Sequence, residues 1–172
     1  MKTLFKVAVP LLMMAVAALV ARRRNLSWKD DVGLCGGPAG ATVRWLAVYV
    51  AWMLGTNAAI DWRGPWDFAP WRSAPWLVDI GRVVAVSLLG PLAEELLFRG
   101  VLYGWLTRVR VPVVLTVFVV AVLWAALHWT YSPQVIALLF VDGLFLGAAR
   151  AQTKSLVAPV LMHVAWNLYA IW

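Results

Sequence analysis

Cysteine, histidine and glutamate are nearly missing from this sequence, with one, two and two copies respectively among 172 residues. Cys35 alone can form neither an intrachain disulfide nor a multi-cysteine metal knuckle, and the final Ala170-Ile171-Trp172 is not a prenylation box. Charge is scarce as well: 13% of residues are charged and 63% hydrophobic, with a mean hydropathy of +0.81. Soluble domains carry about 25% charged residues, so a soluble fold is excluded. Several apolar runs reach the roughly 18–20 residues that cross a hydrocarbon core of about 30 Å. The fold class is therefore all-α, a polytopic transmembrane helical bundle. The net charge of +7 could suggest nucleic acid. However, the basic residues sit between apolar runs and form no amphipathic stripe. They read as topology signals and headgroup contacts, with the lipid bilayer as partner and no nucleic acid.

What is present follows in chain order. Residues 4–21 are the first apolar run, closed by Arg22-Arg23-Arg24, which marks an uncleaved transmembrane helix rather than a signal peptide. Asn25 to Ala41 is a polar, glycine-rich connector in which Cys35 is incidental. Residues 1–42 thus hold the first helix and its connector, and 43–172 form a single catalytic membrane core. The second helix spans 43–60. Asp61 to Pro75 interleaves Trp62, Trp66 and Trp71 with Arg63, Asp67 and Arg72, as at a membrane–water boundary. The third run, 76–107, is too long for one perpendicular span and contains Gly90-Pro91, which predicts tilt or a kink near Pro91. Helices follow over 111–129, 134–149 and 155–172, about six in all. Gly143 and Gly147 have the small-xxx-small spacing of close helix packing, and Ser155 can cap the last helix.

Nine Lys or Arg residues (Arg22, Arg23, Arg24, Lys29, Arg44, Arg108, Arg110, Arg150, Lys154) lie after helices 1, 3 and 5, against five (Lys2, Lys6, Arg63, Arg72, Arg82) on the other side. The positive-inside rule then places both termini outside.

Both glutamates fall inside the third run, within Gly90-Pro91-Leu92-Ala93-Glu94-Glu95-Leu96-Leu97-Phe98-Arg99-Gly100. Ionisable groups at bilayer depth cost several kcal/mol and mark function. Glu95 and Arg99 are i and i+4 and can neutralise each other, which leaves Glu94 in need of a partner from another helix. Both histidines also lie in predicted helices, and His163 and Asn167 share one helix face. At about 1.5 Å per residue, Glu94 lies ~21 Å from Arg108 and His128 ~24 Å from Pro112. By the same rise Asn167 and His163 lie ~18 and ~12 Å from Ser155, so all four groups fall between the midplane and the outer half.

A glutamate and an imidazole can activate water for attack on a carbonyl, and a second imidazole with an amide can stabilise the oxyanion. No serine or cysteine stands beside either histidine, so a covalent nucleophile is not indicated. Ser87 reads as a packing residue. Asp142 is either a partner for a buried group or a polar residue facing a water-filled crevice.

Glu94-Glu95-x-x-x-Arg99, a helix ending in His128, and His163-x-x-x-Asn167 together resemble the CPBP family. These are the CAAX-type or Abi-type glutamic intramembrane proteases. Phe140-x-x-Gly143-x-x-x-Gly147 and Ser155-Leu156 resemble the stretch that precedes the last motif. Trp124 stands where the family usually has Phe, a change at what reads as a packing position. The resemblance implies that Glu94, assisted by His128, activates water, and that His163 and Asn167 form the oxyanion site. Glu95 and Arg99 would hold the motif helix, with no cofactor and no metal. It implies an endopeptidase acting near the C-terminal end of a membrane-anchored protein or peptide, in the bacterial inner membrane. The depth and orientation favour an exported protein's C-terminal anchor. The alternatives are a zinc-dependent CAAX prenyl endopeptidase on the cytosolic side, with Glu94, His128 and His163 as ligands, or a non-enzymatic bacteriocin-immunity or ion-coupled transport protein.

Overall fold

A computed structural model describes residues 2–60 and 75–171. The tryptophan-rich segment expected at the interface, with Trp62, Trp66, Trp71, Arg63, Asp67 and Arg72, lies outside the described residues. Six helical rods account for the rest: α1 (Lys2–Arg23), α2 (Ala39–Ala59), α3 (Trp76–Arg108), α4 (Val113–Ala126), α5 (Pro133–Thr153) and α6 (Val157–Ile171). Three stretches are long and apolar enough to cross a membrane: Phe5–Arg23, Trp76–Arg108 and Pro133–Thr153. Phe5, Leu12, Val114 and Leu161 remain exposed on the outside of the bundle. In water they would be a liability; against acyl chains they are the favoured surface, since only backbone groups need internal partners there.

The distortion predicted at Pro91 takes a specific form. Helix α3 is continuous but widens by one residue per turn over Ala85–Leu89 and again over Leu96–Leu102. The Gly90 N–H reaches back five residues to the Ala85 carbonyl. A proline ring in a regular helix clashes with the preceding turn and lacks its N–H; a wide turn just before it relieves that conflict. The two wide turns flank Gly90–Glu95, the segment that carries both glutamates, and such bulges recur at functional sites.

Helix α1 packs along α3, α4 against α5, and α6 against α2, α5 and the first half of α3. Tyr49, Val120, Trp124, Leu146 and Met162 centre the main core, and Ala17, Ala21, Val32 and Val101 a second one beneath α1. The small-xxx-small pair brings α4 and α5 together: a Cβ on Gly143 would lie 3.0 Å from the Ala121 Cβ, and one on Gly147 2.8 Å from Val117 Cγ1. Gly147→Leu therefore overpacks a seam with no slack, at about 1–3 kcal/mol. The expected result is a fall of roughly 3–10 °C in the detergent melting temperature. An unchanged melting point would mean that this contact is looser than drawn.

Two expectations are corrected at the opposite end of the bundle. The Asn25–Ala41 stretch is not merely a polar connector, because Leu26 and Val32 are buried and its turns are pinned. The Asp31 carboxylate accepts from the Ser27 N–H (2.7 Å) and from Arg108 (3.0 Å). Arg150, counted above as a connector charge, lies inside α5 and is buried. Its guanidinium donates to the carbonyls of Arg99 (3.1 Å) and Asp31 (2.8 Å), and lies 5.0 Å above the Tyr103 ring. The arginine thus staples the connector to the middle of α3. Gly33, at φ +84°, makes the turn beside it, where a Cβ would meet the Arg150 guanidinium at 2.8 Å. Helix α5 runs to Thr153, four residues beyond the predicted end, and stops at Lys154 in the left-handed region (φ 55°). Ser155 then accepts from the Val157 N–H (3.1 Å), the cap expected of it.

Candidate active site

The polar constellation grows from the short regular segment of α3 between its two wide turns. Adjacent residues on a helix point about 100° apart, so Glu94 and Glu95 face different surroundings. Glu95 has no exposed side-chain surface, while Glu94 keeps 25%. Glu95 Oε1 accepts from Arg99 at 2.9 Å, the i,i+4 pair anticipated from the spacing, and contacts His163 Nδ1, also at 2.9 Å. Arg99 is fully buried, donates to the Gly143 carbonyl (3.3 Å) and lies 4.6 Å above the Trp124 ring. Burial of this ion pair is offset in part by these hydrogen bonds and the ring face, while Glu95 Oε2 and Arg99 Nε are buried without a hydrogen-bond partner.

Glu94 finds its closest partner where the sequence offered only a packing residue. The Trp124 indole N–H donates to Glu94 Oε2 at 2.7 Å. A buried indole seeks an acceptor for its N–H, and this one meets the only carboxylate among the described residues that line the cavity. Trp124 also stacks edge-on against His128 and His163, with ring centroids 5.4 Å apart in each case. His163 Nε2 lies 4.0 Å from Glu94 Oε2, so this imidazole stands between the two glutamates. The spacing of Trp124 and His128, i and i+4 on one helix face, was the available signal for the shared role.

His128 departs from the sequence reading. Helix α4 ends at Ala126, and His128 occupies the turn beyond it rather than the helix. The last turn tightens, with the His128 N–H bonded to the Ala125 carbonyl (3.0 Å). The imidazole Nδ1 folds back to the Trp124 carbonyl at 3.1 Å. A carbonyl only accepts, so Nδ1 is the donor in that bond. No hydrogen bond or ion pair joins His128 to Glu94. Asn167 uses one amide hydrogen on the Val86 carbonyl (2.9 Å), which ties α6 to the first wide turn of α3.

Glu94, Trp124, His128, His163 and Asn167 nevertheless line one cavity of about 350 Å³. No three His, Cys, Asp or Glu residues converge as a metal-binding group among the described residues. Asp142, left open above, is fully buried on α5 and accepts from the Trp52 indole at 2.8 Å. It is thus a partner for a buried group, and it does not line the cavity. Ser87 is buried with no part in the constellation, as its reading as a packing residue implied.

Fold and site together define an integral membrane protein of helical type, with a carboxylate–imidazole centre enclosed among its spans. The chain belongs to the type II CAAX prenyl endopeptidase Rce1-like family, whose sequence pattern matches residues 75–169. The match begins one residue before α3 and takes in every polar residue from Glu94 to Asn167. An uncharacterised 24.3 kDa protein of Escherichia coli is 32% identical over 84 residues, which cover 48% of this chain and 39% of that protein. The chain thus aligns with well under half of that relative's length. No solved structure matches it.

Proposed function

We propose that the protein is a glutamic intramembrane endopeptidase that hydrolyses a peptide bond near the C-terminal end of a membrane-anchored substrate. The observation that carries this reading is the pair of unlike glutamates. One is sealed into a salt bridge; the other is held at the wall of a cavity that an imidazole also faces. Glu94 is the general base: Oε2 is fixed by the Trp124 N–H, and Oε1 stays available to a water. A water beside Glu94 can touch His163 Nε2 as well, since the two protein atoms are 4.0 Å apart. Attack of that water on the scissile carbonyl passes a proton to Glu94, which then returns it to the leaving amine. His128 and Asn167 line the same cavity and are candidate partners for water and oxyanion. Glu95 and Arg99 act by orienting His163 and do not touch the substrate.

The course of the cavity supports a reading of the substrate side. Phe5 and Lys6 of α1, Tyr131 after α4 and Ala170 of α6 line it, all toward the end of the bundle that carries both termini. By the charge asymmetry, eight to five once buried Arg150 is set aside, that end is the outer one, in the bacterial inner membrane. An exported protein's C-terminal anchor can reach it; a cytosolic prenylated tail cannot.

The test is turnover by purified protein in liposomes, offered lipid-anchored reporter peptides and read by mass spectrometry of the released fragment. Expected is cleavage that survives a metal chelator and is absent with Glu94→Gln protein. Cleavage lost on chelation, or equal in the variant, would refute the proposal. Trp124→Phe gives a finer reading, because it keeps ring packing on Arg99 and both imidazoles but deletes the bond to Glu94. Hydrogen bonds to charged groups are worth about 1.5–3 kcal/mol. The expected loss is therefore ~10–100-fold in kcat/KM, well beyond what a fall of a few degrees in melting temperature from the smaller buried ring would cause.

A further inference from the structure

A second cavity, of about 360 Å³, lies between α1 and α3 at the end of the bundle away from the termini, and it shares no residue with the first. Val20 and Arg24 line it from α1, and Leu97, Phe98 and Leu102 from the second wide turn of α3, with Trp105 about one turn further on. Val20, Leu97, Leu102 and Trp105 are half-buried, so this apolar wall opens to the surroundings of the bundle. Arg24 is exposed, and its guanidinium lies 5.0 Å over the Trp105 ring. Arg22 and Arg23 beside it are also exposed, and none of the three pairs with a carboxylate among the described residues. Of the two nearby acids, Asp31 pairs with Arg108 at 3.0 Å. That leaves Asp30 alone against Arg22, Arg23, Arg24, Lys29 and Arg110, all exposed. An aromatic face leaves a guanidinium charge uncancelled. The mouth of an apolar groove thus carries a cation and an indole, the combination suited to the boundary of hydrocarbon and water.

We propose that this groove holds one anionic phospholipid, with an acyl chain along Leu97 and Leu102 and the headgroup phosphate on Arg24. Headgroup contact by basic segments is general to the chain; this is a single site with its own lining. Lipid tails gain little by passing from one apolar surface to another, so selection rests on the headgroup. A phosphate with no ammonium of its own satisfies Arg24 without bringing a further cation against Arg22 and Arg23. The wide turn that offers Leu97 and Leu102 to the groove also carries Arg99 inward to Glu95. A lipid seated here therefore braces the helix segment that holds the buried ion pair. The site does not depend on the hydrolytic reading. Arg24 lies outside residues 75–169, so the family pattern does not assign it this role.

The experiment titrates the whole chain, purified in detergent, with phosphatidylglycerol or phosphatidylcholine of identical acyl chains, and counts bound lipid by native mass spectrometry. Wild-type protein should retain one phosphatidylglycerol ~10-fold or more tighter than phosphatidylcholine, the scale of one charge-assisted hydrogen bond. Arg24→Gln should bring that ratio to near one. Lys29→Gln removes the same charge at the same end but not from the groove, and should keep most of the ratio. A phosphatidylglycerol with a photoreactive group in mid-chain should label Val20, Leu97 or Leu102. Glycerol 3-phosphate, which has the phosphate but no chains, should not displace the lipid; displacement makes this a free-phosphate site and overturns the inference. Equal retention of the two lipids by wild-type protein, or an equal fall in Arg24→Gln and Lys29→Gln, reduces the binding to diffuse attraction and likewise overturns it. So does labelling spread over the exposed face of α4 around Val114 and Phe118. A lipid-free mass of two chains that dissociates in Arg24→Gln puts a second copy in the groove and rules the lipid out.

Discussion

Glu94→Gln is expected to yield a folded protein whose hydrolysis falls by about 10²–10⁴-fold, the usual worth of a positioned general base. The physical reason that folding survives lies in the surroundings of this side chain. A quarter of it is exposed, and its closest hydrogen-bond partner is the Trp124 indole, 2.7 Å away. A glutamine carbonyl still accepts that bond, though more weakly than a carboxylate, and no buried arginine loses its countercharge. What the amide cannot do is take a proton from water. The measurement is the ratio of single-turnover rates for variant and wild-type protein at matched melting temperature. Undiminished turnover would leave Glu94 without a hydrolytic role.

The neighbouring substitution should behave in the opposite way. Glu95→Gln removes the charge that faces buried Arg99 at 2.9 Å and His163 at 2.9 Å. Breaking one partner of a buried pair costs about 3–5 kcal/mol, because the remaining charge has no water to turn to. That is a large part of the roughly 5–15 kcal/mol that holds a typical domain together. Folded yield should therefore collapse, while whatever fraction folds retains measurable turnover. Adding Arg99→Met removes the stranded charge, so the double variant should recover part of the yield, with a coupling of about 0.5–3 kcal/mol in the cycle. A well-folded but wholly inactive Glu95→Gln protein would reverse the two assignments.

These contrasting outcomes show how much of the site could be read before any coordinates. The i,i+4 spacing of Glu95 and Arg99 gave their pairing, because helix geometry leaves little choice once an apolar run fixes the helix. The same spacing logic anticipated the Gly143–Gly147 seam. Trp124 escaped, since its indole N–H matters only through Glu94 on another helix, and nothing in the local pattern records that approach. Arg150 escaped for a related reason. As a charge near a helix end it looked like a topology signal. Its burial depends on the 25–38 connector folding back to present the Asp31 carbonyl, a contact 119 residues away in sequence.

By itself, then, the sequence determined that this chain enters the bilayer as helices, where the long spans lie and which acid is neutralised within its own helix. Those are local consequences of hydropathy, helix rise and the cost of charge in hydrocarbon. Only the tertiary structure decided that His163 stands between two glutamates, that Trp124 holds the outer one, and that α1 brings a lysine to the same cavity. Each depends on how separate spans are rotated about their axes, and that rotation is set by packing between helices rather than by the order of residues along any one of them.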